Sequence, residues 1–263
     1  MKRKLLSIFL TFLGISLLSS CSRDDDKDFP FTHISLMHFE NFTGQGRELV
    51  FYLETLEEFP CSNFQISAQV TTLRDYLEIQ ASNIDIPSYC VTAIGPATRS
   101  LMLGDPEQIP GSVSFWVNDL RHDFSLLLND ESIELVEEAF FDDRLTFVRE
   151  KLMRIPDHTV WGYLVSDSID EKIVIPDELM LMFEDAGAEL LPLSEGDYHY
   201  FLAGEEQSVI FFPGGDDEIE GFTMYFEKDM EILADVFQEY LDMYDISHMT
   251  IRLFNTRGER FLL

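Results

Sequence analysis

Basic residues are scarce in this chain of 263 residues, which has 18 Lys and Arg against 49 Asp and Glu and a formal net charge of −31. Proteins bind nucleic acid through basic surfaces that contact phosphates, so this scarcity argues against a nucleic-acid partner. It also argues against adsorption to an anionic lipid surface by charge alone. The hydrophobic share of 46% and the 23 Phe residues are unlike the composition of disordered chains, so we expect a folded core.

Motifs of several enzyme and metal-site classes are missing as well. The sequence contains no G-x-S-x-G, no P-loop, no G-x-G-x-x-G and no H-E-x-x-H. With 49 acidic residues, some pair of carboxylates always looks suited to glycoside hydrolysis, so such pairs predict nothing specific. We therefore predict no catalytic residue and no cofactor. Six dispersed histidines fit structural or surface roles: His33, His38, His122, His158, His199 and His248.

The N-terminal segment has the order of a secretory signal peptide. A basic start at residues 2–4 precedes an apolar run from Leu5 to Leu18, which is too short to span about 30 Å of hydrocarbon comfortably. The segment Leu18-Ser19-Ser20-Cys21 resembles the lipobox of bacterial lipoproteins. The resemblance implies cleavage after residues 1–20 and acylation of Cys21, and more than one acyl chain gives stable membrane anchoring. A plain signal peptide and an N-terminal transmembrane helix, with Cys21 incidental, are the alternatives.

An acidic stretch follows Cys21 directly. Residues 22–28 read Ser-Arg-Asp-Asp-Asp-Lys-Asp, which resembles the surface-export signal of Bacteroidota lipoproteins. Ser22 stands where enterobacterial lipoproteins carry the Asp that retains them at the inner membrane. The resemblance implies the outer membrane and display at the cell surface, with residues 21–30 as an acidic tether. A tether that faces the periplasm is the alternative, because like charges extend a linker in either location.

Two cysteines remain if Cys21 is lipidated. An exported protein meets an oxidising compartment, so Cys61 and Cys90 are predicted to form a disulfide. Two free buried thiols are the alternative.

The rest of the chain divides by its hydrophobic periodicity. Over residues 31–138 apolar and polar residues alternate with period two, and turn-rich segments separate the runs, which predicts an antiparallel β-sandwich-like domain. Residues 139–158 form a transition. From 159 to 263 the order is strand, helix, strands, helix and hairpin, which predicts a smaller α+β domain. The expected fold class is therefore α+β.

Two short segments carry weaker signals. The loop at residues 214–221 contains Asp216, Asp217, Glu218 and Glu220, and clustered carboxylates suit Ca²⁺. It lacks the ligand order of an EF-hand, so a solvated loop is the alternative. Ser168 follows an Asp and precedes an apolar residue, and this arrangement resembles the O-glycosylation acceptor of Bacteroidota.

Aromatic residues on the outward phase of the predicted strands indicate a binding surface: Tyr52, Tyr76, Trp116 and Trp161. Exposed aromatics on a sheet face bind sugars or protein partners, unless a second layer covers them. We therefore expect a non-catalytic binding or envelope-complex module for a protein or a glycan. An exported hydrolase with dispersed carboxylates and an acidic immunity or inhibitor lipoprotein are the alternatives.

Overall fold

The computed structural model describes residues 31–138, 142–166, 174–205, 208–212 and 218–263. The segment Phe31–Leu263 forms one compact unit. Its described residues build two β-sheets and two α-helices. The predicted α+β class is confirmed.

The first sheet has ten strands. In chain order they are β1 (Ile34–Thr43), β2 (Gly46–Phe59), β3 (Gln65–Thr72), β4 (Leu77–Asp85), β5 (Gly95–Gly104), β6 (Ser112–Val117), β7 (Leu120–Leu128), β8 (Ser132–Glu137), β9 (Leu145–Phe147) and β10 (Lys151–Met153). Their order across the sheet is β10-β8-β7-β6-β4-β3-β5-β2-β1-β9. The predicted alternation holds well in β4, where Leu77, Ile79 and Ala81 are buried.

Most neighbouring strands of the first sheet are antiparallel, as predicted, but three pairs are parallel. These pairs are β1 with β9, β3 with β5, and β4 with β6. The chain leaves β4, inserts β5 between β3 and β2, and returns as β6 along the free edge of β4. Because β5 serves as this crossover, β6 arrives parallel to β4.

The first sheet curls until its two edges meet. Strands β9 and β10 follow each other in the chain, yet β9 pairs with β1 at one edge and β10 pairs with β8 at the other. The ring of Phe124 on β7 lies 5.1 Å from the ring of Phe147 on β9 and 6.4 Å from that of Phe51 on β2. The inner faces of the two halves therefore pack on each other, as in a sandwich.

The second sheet has eight strands and carries both helices. Its elements are β11 (Thr159–Ser166), α1 (Asp177–Asp185), β12 (Glu189–Leu190), β13 (Gly196–Asp197), β14 (Leu202–Ala203), β15 (Val209–Phe211), β16 (Ile219–Tyr225), α2 (Glu231–Tyr244), β17 (Met249–Asn255) and β18 (Arg260–Leu262). The strand order is β13-β14-β15-β16-β11-β17-β18, and β12 also pairs with β16.

Both helices cover one face of the second sheet. Phe183 of α1 and Phe237 of α2 are fully buried against Val160, Leu164 and other apolar residues of this sheet. Helix α1 ends just before Gly187, which adopts a φ of 99° that favours glycine. Among the described residues, neither helix is long and apolar enough to cross a membrane.

The change from the first sheet to the second falls between β10 and β11, within the predicted transition at residues 139–158. Residues 151–153 of this transition belong to the first sheet as β10. Independent folding of the two predicted domains stays a prediction.

A buried carboxylate lies where the two sheets meet. Glu40 on β1 is 4% exposed and accepts hydrogen bonds from Nε of Arg154 at 3.1 Å and from Nη1 of Arg47 at 3.1 Å. Arg47 also contacts Asp157 at 2.6 Å, and the hydroxyl of Tyr200 donates to the backbone carbonyl of Glu40 at 3.0 Å. A buried charge is tolerated when such partners satisfy it, so this network ties the second sheet to the first.

Replacing Glu40→Ala should destabilise the protein by about 3–5 kcal/mol, because it leaves the buried guanidinium of Arg154 without its main partner. Urea unfolding measured by circular dichroism tests this. Glu58→Ala is the matched control, since Glu58 lies exposed on the neighbouring strand β2, and it should change stability by less than about 0.5 kcal/mol. Equal effects of the two variants would contradict the assigned role of Glu40.

Candidate functional site

The predicted disulfide between Cys61 and Cys90 is confirmed, with a Cα–Cα distance of 5.3 Å. Asn63 adds a second clamp on the same loop, donating to the carbonyl of Tyr89 at 2.8 Å and accepting from the amide of Val91 at 3.1 Å. The connection between β4 and β5 is therefore fixed against the one between β2 and β3. Cys21, the predicted lipidation residue, lies outside the described residues.

The predicted calcium loop and glycosylation residue fall mostly outside the described residues. Asp216, Asp217 and Ser168 all lie there. Glu218 and Glu220 are described, and both are exposed at the start of β16. In the described ranges no three metal-ligating side chains come together.

The structure does not gather the predicted surface aromatics into one patch. Tyr52 on β2 and Trp116 on β6 lie half-buried on the outer face of the first sheet, with β4, β3 and β5 between their strands. Tyr76 is 37% exposed and precedes β4. The guanidinium of Arg121 lies 6.0 Å from the ring of Trp116. These three aromatics are separate features of the surface.

The expected exposure of Trp161 is wrong, because this side chain is 2% exposed. Strand β11 lies inside the second sheet, paired with β16 on one side and β17 on the other. The helices cover one of its faces, and an aromatic layer covers the other. That layer includes Phe42 of the first sheet, whose ring lies 5.6 Å from the indole. Both phases of the strand are therefore buried.

A small cleft opens in this aromatic layer, on the sheet face opposite the helices. We call it the aromatic cleft, and its volume is about 110 Å³. Its lining consists of Trp161, Tyr163, Tyr200, Phe211, Phe212 and Phe254.

Strand register places these rings together. Trp161 pairs directly with Phe254 of β17, and Tyr163 pairs with Gly221 of β16, and paired residues point to the same face of a sheet. A Cβ atom on Gly221 would clash with the ring of Phe211. Because glycine leaves that space free, the Phe211 ring lies over β16, with its centroid 4.8 Å from that of Tyr163.

The cleft has a buried floor and more accessible walls. Trp161, Tyr163 and Phe211 are 2–4% exposed and form the floor. Tyr200 and Phe254 are half-buried, and Phe212 is 44% exposed. A ligand would therefore gain most of its contact from the walls.

Polar groups border the aromatic cleft. Nη1 of Arg252 donates to the hydroxyl of Tyr163 at 3.2 Å, and the guanidinium lies 5.7 Å from the centroid of that ring. Burial raises the pKa of Tyr200, which keeps its hydroxyl protonated as a donor to Glu40. A narrower recess shares Trp161, Tyr200 and Phe254 with the cleft and is also lined by Phe42, Asn255, Gly258, Glu259 and Arg260.

Two histidines, the buried His38 and the half-buried His199, lie close to the turn that carries Tyr200. His199 stacks on Phe39 of β1 with ring centroids 3.9 Å apart, and Nε2 of His38 lies 3.2 Å from the carbonyl of Ile133. A carbonyl only accepts, so we assign the proton of His38 to Nε2. Burial, with a smaller contribution from the charge of Arg149, lowers the pKa of each histidine from 6.5 to about 4. Both rings are therefore neutral near pH 7.

Sequence analysis singled out Trp161 but none of the other cleft residues. Two dense aromatic pairs, Tyr200 with Phe201 and Phe211 with Phe212, were the available signal. That signal does not tell which strand each pair packs on. No protein-family model, no curated protein and no solved structure matches this chain.

Acid should weaken the fold through these histidines. The folded pKa values lie near 4 and the unfolded value near 6.5, so below pH 6.5 the unfolded chain binds more protons and stability falls until about pH 4. Replacing His38→Gln should reduce this loss by roughly 3 kcal/mol, at 1.36 kcal/mol per pKa unit. Urea unfolding between pH 7.5 and 4 measures it. The control is His248→Gln, an exposed position, and parallel profiles for wild type and His38→Gln would contradict the prediction.

Proposed function

We propose that this chain is a bacterial lipoprotein of the outer membrane, displayed on the cell surface through Cys21, that binds a glycan in the aromatic cleft without catalysing a reaction on it. A protein ligand is the alternative occupant of the same cleft.

The anchoring part of the proposal rests on residues 18–28. The lipobox resemblance at Leu18-Ser19-Ser20-Cys21 and the acidic stretch after it support lipidation and export. The disulfide between Cys61 and Cys90 adds support, since disulfides persist in oxidising compartments outside the cytosol.

The aromatic cleft carries the binding part. A sugar ring has apolar C–H faces that stack on aromatic rings, while its hydroxyls bond to polar groups at the rim. The cleft offers both, with aromatic walls at Tyr200, Phe212 and Phe254 and a guanidinium at Arg252. Its volume of about 110 Å³ is below the roughly 300–1,000 Å³ of sites for drug-sized molecules. One sugar ring at the end of a chain suits this size better than a broad protein surface, which needs about 800 Å² per partner.

Replacing Cys21→Ser should abolish incorporation of labelled palmitate and move the protein from the membrane fraction to the soluble fraction, because the acyl acceptor is lost. Ser22→Ala is the control that keeps the thiol. Unchanged labelling and fractionation of Cys21→Ser would contradict the anchor.

Protease added to intact cells should digest the displayed protein, and digestion in lysed cells alone would contradict display at the surface.

Removing one wall of the cleft should weaken glycan binding. Full-length protein purified in detergent is applied to an array of neutral and acidic oligosaccharides, and Phe212→Ala should bind its preferred glycan about tenfold more weakly, as expected for the loss of one stacked ring worth about 1.4 kcal/mol. Tyr89→Ala is the matched control, since Tyr89 is 72% exposed on the disulfide-linked loop.

Two results would contradict a glycan site. One is equal binding by Phe212→Ala and Tyr89→Ala, which would place the site elsewhere. The other is a pair of observations: no sugar of the array binds, and wild type captures from envelope extracts a protein that Phe212→Ala does not capture. Together they would assign the cleft to a protein ligand.

A further inference from the structure

We infer that the ligand of the aromatic cleft is a sugar that carries a carboxylate, as a uronic acid does, and that Arg252 and Arg260 bind this charge. The inference rests on the proposed function of the cleft as a sugar site and adds the chemical class of the sugar.

Arg252 and Arg260 are cations without an ion-pair partner among the described residues. Most basic residues in the described part of the chain are ion-paired: Arg47 with Asp157, Arg121 with Asp123, Arg144 with Asp142, Arg149 with Asp197, Lys151 with Glu134, Arg154 with Glu40, and Arg257 with Glu259. Within the same described residues, Arg74, Arg99, Lys228, Arg252 and Arg260 form no ion pair, although the chain has a net charge of −31. Arg252 and Arg260 are therefore two of five unpaired cations in this part of the chain, and what distinguishes them is their position beside the aromatic cleft.

Strand pairing gives Arg252 and Arg260 this position. Arg260 on β18 pairs with Phe254, and Arg252 on β17 pairs with Tyr163. Paired residues share a face of the sheet, so both arginines lie on the face that carries the aromatic cleft. Arg260 also lines the recess that shares Trp161 with the cleft. Both arginines are exposed and accessible to a ligand.

Arg252 is already oriented. Its Nη1 donates to the hydroxyl of Tyr163 at 3.2 Å, and its guanidinium lies 5.7 Å from that ring. A guanidinium has five N–H donors, so Nε and Nη2 remain for a ligand. A side chain held by its neighbours loses less entropy when it binds a ligand.

Among the described residues, one carboxylate lines the recess beside the cleft, and its charge is offset. Glu259 lines the recess, but Nη2 of Arg257 lies 3.1 Å from its Oε2, and Nδ2 of Asn255 donates to the same oxygen. Glu259 therefore opposes an incoming anion less than a free carboxylate would.

These features together select a carboxylate on a ring. The guanidinium fork matches the two oxygens of a carboxylate with parallel hydrogen bonds, and the aromatic walls take the ring beside it. Screening over about 8 Å at physiological salt limits repulsion from acidic residues that lie farther than this from the site. A neutral sugar would leave Arg252 and Arg260 without an anionic partner.

Binding of a matched pair of probes tests the inference. Full-length protein in detergent is titrated calorimetrically with trigalacturonate and with its methyl ester, which has the same rings without the charge. Wild type should bind the acid about tenfold more tightly than the ester, an energy of about 1.4 kcal/mol. Arg252→Gln and Arg260→Gln should each weaken binding of the acid about fivefold to tenfold and weaken binding of the ester by a smaller factor, because the ester offers only hydroxyl and carbonyl contacts.

Two further variants keep the result specific. Arg74→Gln removes the same charge at an exposed residue between β3 and β4 and should bind both probes as wild type does. Arg252→Lys keeps the charge but not the fork and should bind the acid with intermediate affinity. Equal unfolding midpoints in urea confirm that each variant is folded.

The outcomes separate this inference from the proposed function. Equal wild-type affinity for acid and ester, or equal losses in Arg74→Gln and Arg252→Gln, would overturn the carboxylate selectivity and leave a sugar site in place. The same conclusion would follow if wild type bound neither probe but bound neutral sugars on the array, and if Phe212→Ala lost that binding. Binding of neither probe together with an empty array would overturn both.

Discussion

The buried carboxylate of Glu40 is the constraint on which the arrangement of the molecule depends. Its side chain binds Arg154 and Arg47, while its backbone carbonyl accepts the hydroxyl of Tyr200 from the second sheet. A carboxylate that is 4% exposed is stable when all of these partners are present, so the sheets are held in one relative position. Tyr200 is also a wall of the aromatic cleft. The interaction that joins the sheets therefore also shapes the candidate site.

Because the chain is strongly acidic, it is informative which of its arginines form ion pairs and which do not. With 18 basic residues against 49 acidic ones, nearby carboxylates are abundant for a cation on this surface. The arginines near Glu40 are used for cohesion between the sheets, and Arg121, Arg144 and Arg257 pair with acids on their own strands or turns. Five cations of the described residues form no ion pair: Arg74, Arg99, Lys228, Arg252 and Arg260. Among these, Arg252 and Arg260 lie beside aromatic rings, since their strands pair them with Tyr163 and Phe254.

Much of the fold follows from the sequence, because local rules determine it. Alternation in β4 identifies Leu77, Ile79 and Ala81 as inward-facing, and Gly187 marks the end of α1. The parallel pairing of β4 with β6 does not follow, since it depends on where β5 inserts, and no local pattern encodes that.

Trp161 shows the same limit at the site. Alternation assigns the side chains of β11 to two opposite faces of the sheet. It does not show that the helices cover one face and an aromatic layer covers the other. The cleft itself forms by long-range register among β11, β16 and β17, which the sequence order leaves open.

The turn before Tyr200 connects the junction of the sheets to the cleft. Asp197 pairs with Arg149 at 2.6 Å, and His199, held at a φ of 69°, stacks on Phe39 of the first sheet. Three consecutive contacts therefore fix the path of the chain up to the wall of the cleft: an ion pair, a ring stack and the hydroxyl bond of Tyr200. Burial keeps the histidine neutral, and a proton there would place a second positive charge beside Arg149. The stacked ring would then have to take up water or move. Because Tyr200 is the next residue, any such movement reaches the cleft directly, so the stability of the junction and the shape of the binding surface depend on the same few residues.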